Sequence, residues 1–152
     1  LVGLVLDKIL EKKEKEKVMN KLNMIIGVFF SEVGIKFVKK VSEYDEEKIN
    51  ALLENKDIIR SRGKITAAIN NAKIFIEIQK EFGSFSNYIW GFTDNKVIKN
   101  TTGEIPVKTE LSDMVSKDLK KRGMKYTGSV IIYSYLQAIG IVDDHDINCY
   151  KY

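Results

Sequence analysis

Cysteine is all but missing from this chain: Cys149 stands alone among 152 residues. An internal disulfide is excluded, and the composition suits a reducing compartment, the cytoplasm. Proline is equally scarce, one residue against ten glycines, which excludes collagen-like and proline-rich linker architectures. Long apolar runs are absent too. The longest candidate, residues 24–30, already contains Gly27 and is followed by Ser31, Glu32 and Lys36. That falls well short of the ~18–20 apolar residues a bilayer-spanning helix needs, so no membrane association is expected. Leu1, Val2, Leu4, Val5 and Leu6 are apolar, but they lack a basic region before them and a small-residue cleavage site after, and do not read as a secretory signal. The P-loop, GxGxxG, HExxH and GxSxG patterns are all missing. Nucleotide hydrolysis, dinucleotide binding and serine-hydrolase chemistry therefore have no support. Carboxylates are plentiful, yet no pair is singled out by an apolar setting.

What is present describes a globular chain. Hydrophobic residues make up 44% and charged residues 30%, too apolar for general disorder. The length fits one domain with little room for two, and a monomer is expected. Twenty-five basic residues against 21 acidic leave a net charge of +4, which permits a polyanionic partner without requiring one.

Residues 11–17 alternate in sign as Glu11-Lys12-Lys13-Glu14-Lys15-Glu16-Lys17, the pattern of a solvated helix supported by i,i+4 pairs. Residues 18–41 are apolar and β-branched with no clean period, so a buried helix and a pair of strands both remain open. Beyond them the signals sharpen. Ser42 with Asp45, Glu46 and Glu47 starts a helix over residues 46–55 that buries Ile49, Leu52 and Leu53. Ser61 caps a central helix with Ile65, Ala68, Ile69, Ala72, Phe75 and Ile76 at helical spacing, widened by Ile74 and Ile78 and ended by Gly83. Residues 84–92 form a short aromatic helix, and 93–108 a polar loop. Ser112 and Asp113 open a helix with Met114, Val115 and Leu119 inward, ending at Gly123. Thr127 and Gly128 open the last long helix, residues 129–138, so apolar that it should lie deep in the core, with Gly140 as its stop. No repeat is visible. The fold class is all-α, a single-domain helical bundle.

Three constellations carry possible chemistry. In Leu119-Lys120-Lys121-Arg122-Gly123-Met124-Lys125-Tyr126-Thr127-Gly128 two helices meet through a glycine-bearing hairpin. The second helix's unpaired first-turn amides and dipole suit a phosphate, and Lys117, Lys120, Lys121, Arg122 and Lys125 surround that point against Asp118. The same residues also read as a helix C-terminus whose Lys and Arg offset its dipole and which Gly123 caps. His145 and Cys149, four apart, can meet one metal ion, or belong to a polar tail; zinc needs about four ligands and the chain offers no further soft donor. Phe85, Tyr88, Trp90 and Phe92 either stack on an extruded base or fill the core. Arg60, Arg62 and Lys64 form a smaller basic cluster at a helix start, as readily solvated charge as a phosphate contact.

Set in order, these segments resemble the DNA-3-methyladenine glycosylase I family, a branch of the helix-hairpin-helix glycosylases. The resemblance is carried by Ile58-Ile59-Arg60-Ser61-Arg62-Gly63-Lys64-Ile65, Ile69-Asn70-Asn71-Ala72, Ile89-Trp90-Gly91-Phe92 and Ser112-Asp113-Met114-Val115-Ser116-Lys117-Asp118-Leu119. It continues through the hairpin into Tyr133-Ser134-Tyr135-Leu136-Gln137-Ala138 and ends on Gly140-Ile141-Val142-Asp143-Asp144-His145 with Cys149. It implies a helix-hairpin-helix element gripping DNA backbone through Lys120, Lys121, Arg122, Gly123, Lys125, Thr127 and Gly128. It also implies a structural zinc with His145 and Cys149 as two of four ligands. The family's other two ligands and its catalytic-pocket glutamate belong to an N-terminal segment expected to be absent here, so no catalytic residue is assigned. Leu1-Val2-Gly3-Leu4-Val5-Leu6 is similar to the family's Gln-Ala-Gly-Leu-Ser-Trp, with leucine in place of the tryptophan. Residues 1–43 accordingly read as a divergent or truncated N-terminal segment and 44–152 as the glycosylase-like helical domain. The implied activity is hydrolysis of the N-glycosidic bond of 3-methyladenine in alkylated double-stranded DNA, a base-excision repair step. The alternatives are a catalytically inactive helix-hairpin-helix DNA-binding remnant and a small helical interaction protein.

Overall fold

The computed structural model describes residues 10, 13, 14, 17, 21, 33–100 and 104–145. The backbone groups into two compact units, Leu1–Lys40 and Val41–Tyr152. In the alternating-charge stretch, Lys13, Glu14 and Lys17 are helical and exposed. Helix α1 (Ile35–Ser42) buries none of its residues.

The second unit is built from helices with readable ends. Helix α2 (Glu46–Glu54) starts where Asp45 accepts a hydrogen bond from the Lys48 amide at 2.9 Å, satisfying one of the donors every helix start leaves open. Helix α3 (Arg62–Phe82) is the long central element, packed against α2 and against α4 (Phe85–Gly91). It turns out at Gly83, whose φ of 78° is a left-handed conformation that glycine adopts without strain. Ser61 sits at its N-cap but makes no capping hydrogen bond. Its inward face carries Ala67, Ile69, Ala72, Ile74 and Ile78, while Ala68, expected inside, is exposed. The face is centred on the i, i+4 pair of Ile74 and Ile78, which meets the rest of the core.

The aromatic helix α4 begins with Ser84 accepting from the Asn87 amide at 2.9 Å. Its rings pack among themselves and onto the core. Phe75 stacks on Phe85 at 4.5 Å between centroids, and Phe92 meets Tyr88 edge-on at 5.3 Å. Tyr88 is buried, and Phe85, Trp90 and Phe92 pack partly buried against the same cluster. The core reading of these aromatics is the one that describes them.

The polar loop expected at 93–108 is not wholly irregular. Strand β1 (Ile98–Lys99) pairs in parallel with β2 (Val142–Asp143), Ile98 opposite Val142 and Lys99 opposite Asp143. Two residues are too few to show alternation, so no period marked them. The fold remains helical with this one small sheet.

Helix α5 (Glu110–Lys121) starts earlier than Ser112 and Asp113 suggested. Thr109 is the cap, and it shares a capping box with Ser112, each side chain taking the other's backbone amide. Val115 and Leu119 face inward as expected, but Met114 is 54% exposed. Helix α6 (Ser129–Ala138) has the predicted bounds and a different depth. Only Ile132, Tyr133 and Leu136 are buried; Val130 and Ile131 stand 51% and 59% exposed. Its apolar composition therefore overstated its burial: among the described residues, α5 and β2 pack against it and leave Val130 and Ile131 in the open. Gly140, at φ 77°, stops it, with the Gly140 amide on the Gln137 carbonyl and the Ile141 amide on that of Leu136. Ile78, Ile89, Val115, Leu119, Leu136 and Ile141 form the driest part of the core.

Candidate nucleic-acid interface

Residues 122–128 join α5 to α6, and both ends of the turn follow from local rules. The Gly123 amide bonds the Lys120 carbonyl and the Met124 amide bonds that of Leu119, both at 2.9 Å. With Gly123 at φ 95°, this is the paired C-terminal closure in which a left-handed residue lets two orphan carbonyls find donors. Met124 and Leu119, the two side chains such a closure brings together, are both buried. The base of the hairpin is thus fixed to the core.

Its upper half is fixed from outside the hairpin. Asn70 Nδ2 on α3 donates to the Gly123 carbonyl at 2.9 Å. Asn71 engages Lys125 twice, its Nδ2 donating to the carbonyl and its Oδ1 accepting from the amide, both at 2.8 Å. The fully buried Ser116 of α5 donates its hydroxyl to the Thr127 carbonyl at 2.6 Å. Tyr126, between these ties, holds φ 58° and is 61% exposed. Left-handed backbone at a tyrosine costs about 1 kcal/mol and persists only where neighbours impose it.

Helix α6 then begins at Gly128 with no side-chain cap. A Cβ built on Gly128 would meet nothing within 4 Å, so the space before the helix start is open. The first-turn amides of α6 have no partner along the helix by its geometry, and the dipole favours an anion there. One carboxylate is already nearby. Asp113 is held below the usual carboxylate range by a hydrogen bond accepted from Ser129 and by Lys108, whose ammonium lies 3.0 Å away.

The seven residues expected to grip a phosphate backbone divide into two groups. Lys120, Lys121 and Lys125 are exposed, as is Lys117, and Gly128 faces open space. The others turn inward. Arg122 donates to Asp118 Oδ2 at 2.8 Å and to Glu81 Oε2 at 2.6 Å, and its guanidinium lies 5.1 Å from the ring centres of both Phe82 and Tyr88. Those carboxylates push the Arg122 pKa further up, while Arg122 holds Glu81 below its ordinary value. Burial works against the Asp118 charge, yet hydrogen bonds from Arg122 and Tyr88 keep its pKa low. Arg122 is thus a structural clasp, with little of its charge left for a ligand. Gly123 gives its carbonyl to Asn70. Thr127 gives its carbonyl to Ser116, and its Oγ1 is buried with no hydrogen-bond partner among the described residues.

The second basic cluster is simpler. Arg62 is spent on Glu46 at 2.7 Å and Asn50 at 2.6 Å, while Arg60 and Lys64 stand exposed. Between the two clusters runs an open groove of about 490 Å³ lined by Gly63, Thr66, Ala67, Asn70, Lys125 and Tyr126.

His145 lies exposed after β2, its backbone amide donating to Asp143 at 3.2 Å; Cys149 lies outside the described residues. Beside His145, the Asp144 carboxylate accepts from the Tyr133 hydroxyl and from Gln137 Nε2, the latter at 2.6 Å. Burial and then that bond push the Tyr133 pKa up to about 12. Among the described residues no three His, Cys, Asp or Glu side chains converge on one point, and no helix is long and apolar enough to cross a membrane.

The model of the methyladenine glycosylase family matches residues 4–152. The chain belongs to that family. The match begins well before the motifs that start near Ile58. DNA-3-methyladenine glycosylase 1 of Escherichia coli (strain K12) is 41% identical over 116 residues, covering 74% of this chain and 62% of that protein. DNA-3-methyladenine glycosylase of Haemophilus influenzae is 38% identical over 114 residues, with 73% and 62% covered. A crystal structure of 3-methyladenine DNA glycosylase I superposes with a TM-score of 0.68 at 38% identity, over 74% of this chain and 64% of that one. The Staphylococcus aureus enzyme, solved to explain 3-methyladenine recognition, gives 0.67 at 29% identity, over 74% and 62%. The chain spans about 62% of the length of the curated relatives it matches.

The signals missed by sequence reasoning are polar and distant. Asn70 and Asn71 belong to the family-like motifs, but their partners lie 53 and 54 residues away. The available hint was two adjacent asparagines inside a helix, where their propensity is poor.

Proposed function

We propose that this protein is a DNA repair glycosylase that hydrolyses the N-glycosidic bond of 3-methyladenine in alkylated double-stranded DNA, acting as a cytoplasmic monomer. The observation that carries the reading is the hairpin of a methyladenine glycosylase family member, with exposed Lys120, Lys121 and Lys125 around an open helix start at Gly128. It works as a helix-hairpin-helix element: α6 amides receive a phosphate and the lysines neutralise its neighbours. Such contacts are indifferent to sequence, as a search for scattered lesions requires. The lesion nucleotide is extruded from the stack, at a cost lowered by its damaged pairing. An alkylated adenine is cationic and leaves readily. Catalysis therefore rests on positioning and on electrostatic support of the developing sugar cation more than on a strong general acid.

His145 and Cys149 are the chain's proposed contribution to a structural zinc. Imidazole and thiolate suit the ion, but a closed structural site takes four donors, and the described residues supply His145 alone, with Asp144 committed to Tyr133 and Gln137. These residues do not make a closed zinc site, and no step above runs through a metal. Zinc in the purified monomer is expected to be substoichiometric and removed by chelator; stoichiometric, chelator-resistant zinc by elemental analysis after gel filtration contradicts this.

The functional test is release of free base from alkylated duplex DNA. Release of 3-methyladenine above a heat-killed control supports the glycosylase. Salt-dependent duplex binding without release replaces it with the inactive DNA-binding remnant, and no binding at low salt leaves a helical interaction protein.

A further inference from the structure

We infer that Asn70 and Asn71 are positioning residues for DNA engagement, holding the 122–128 hairpin in its binding geometry; this rests on the DNA-binding reading above. Their side-chain amides touch the hairpin backbone at Gly123 and Lys125 through three hydrogen bonds of 2.8–2.9 Å. Asn71 pairs with both the amide and the carbonyl of Lys125, as a neighbouring strand would. Two consequences follow. The Lys125 amide is consumed, so Lys125 meets a phosphate only through its ammonium. And the residue that follows, Tyr126, is kept at φ 58°, a conformation its own side chain disfavours.

The clamp is separable from the core. Met124 and Leu119 anchor the hairpin base by burial, and Ser116 anchors its far end at Thr127. Removing the asparagine amides therefore leaves the helices in place and frees residues 125–126 to leave the left-handed region. Lys125 and the entry into α6 then lose their fixed direction, and binding has to order them again. A rigid binding loop gains affinity by avoiding that ordering cost.

The test is duplex binding by fluorescence anisotropy across a salt series, with the full chain, Asn70→Ala and Asn71→Ala, alongside amide hydrogen exchange and thermal melting. Asn71→Ala is expected to weaken binding by about tenfold, with the slope of log affinity against log salt unchanged because every lysine remains. Exchange of the Lys125 amide is expected to accelerate while the melting temperature moves little. Asn71→Asp keeps the acceptor for that amide and loses the donor. At salt high enough to screen its charge it should fall between wild type and Asn71→Ala, and it serves as the folded variant should Asn71→Ala lose its helical signal. Wild-type affinity in Asn71→Ala, or in Asn71→Asp at that screening salt, overturns the positioning role and leaves DNA binding intact. A wild-type chain with no salt-dependent affinity for duplex overturns both.

Discussion

Two helix starts in this chain gather positive charge, and they are built differently. At the start of α3, Arg60 and Lys64 are exposed, Arg62 is spent on Glu46 and Asn50, and Ser61 makes no capping bond. Before the start of α6, four exposed lysines flank in sequence a turn whose backbone is tied down by Asn70, Asn71 and Ser116 and closed at Gly123. Arg60 stays exposed with the lysines, but in each cluster one arginine, Arg62 or Arg122, turns to carboxylates or amides of its own chain. Its planar fork and weak hydration suit partly buried pairing, whereas a lysine ammonium is best left in water. Charge counted along the sequence makes the two clusters look alike. Backbone held in place is what separates a surface that tolerates an anion from one shaped to receive it.

The contrast can be broken at its strongest point first. Arg122→Ala removes bonds to Asp118 and Glu81 and the packing over Phe82 and Tyr88. After discounting the exposed half of the network for screening, it should cost about 2 kcal/mol in denaturant unfolding. Arg62→Ala, whose partner Glu46 is 72% exposed, should cost less than about 0.5 kcal/mol. Equal losses would erase the distinction. Next, Gly123→Ala should cost about 1–2 kcal/mol because φ 95° disfavours any Cβ. The nearest atom to such a Cβ, Ile74 Cδ1 at 3.5 Å, is in ordinary contact and adds nothing. Gly63→Ala, in a helical residue with only the Tyr126 hydroxyl at 3.7 Å, should be neutral or gain up to about 1 kcal/mol.

Acid should act on the Arg122 network more than on the Arg62 pair. Asp118 and Glu81 have folded pKa values below their unfolded ones. They stabilise the native state above about pH 4, and that contribution is lost as pH falls through the lowered values. Acid unfolding of wild type should therefore begin earlier relative to its neutral-pH stability than in Arg122→Ala, where both carboxyls return toward ordinary values. Superimposable normalised acid transitions would contradict the clasp. The smallest effect belongs to α3: removing the charges of Arg60 and Lys64 together should weaken duplex binding less than removing those of Lys120 and Lys121, by about threefold against tenfold or more.

Much of this was legible in the chain because caps are local. Asp45, Ser84, Gly83 and Gly140 announce helix ends within three or four residues, and α6 has the bounds its flanking residues predicted. Thr109 does not stand out in the sequence because Ser112 and Asp113 lie closer to the apolar run, although Ser112 is the other half of the same capping box. The depth of α6 was misjudged since composition says how apolar a helix is and not how many faces are covered. The parallel pair at Ile98 and Val142 joins residues too few and too far apart for any periodicity. At the site, the lysines were visible as charge. The diversion of Arg122 to Glu81, 41 positions away, depends on tertiary contact, as does the asparagine clamp.

In the proposed mode of binding, the hairpin between α5 and α6 holds a sugar–phosphate strand by its lysines and helix start. The decisive measurement titrates a DNA duplex against the chain and against Lys120→Glu with Lys121→Glu at a series of salt concentrations. Wild-type affinity is expected to fall steeply with salt, and the double reversal to weaken binding by about a hundredfold at low salt with a shallower slope. An unchanged affinity and slope in the reversed protein would contradict it.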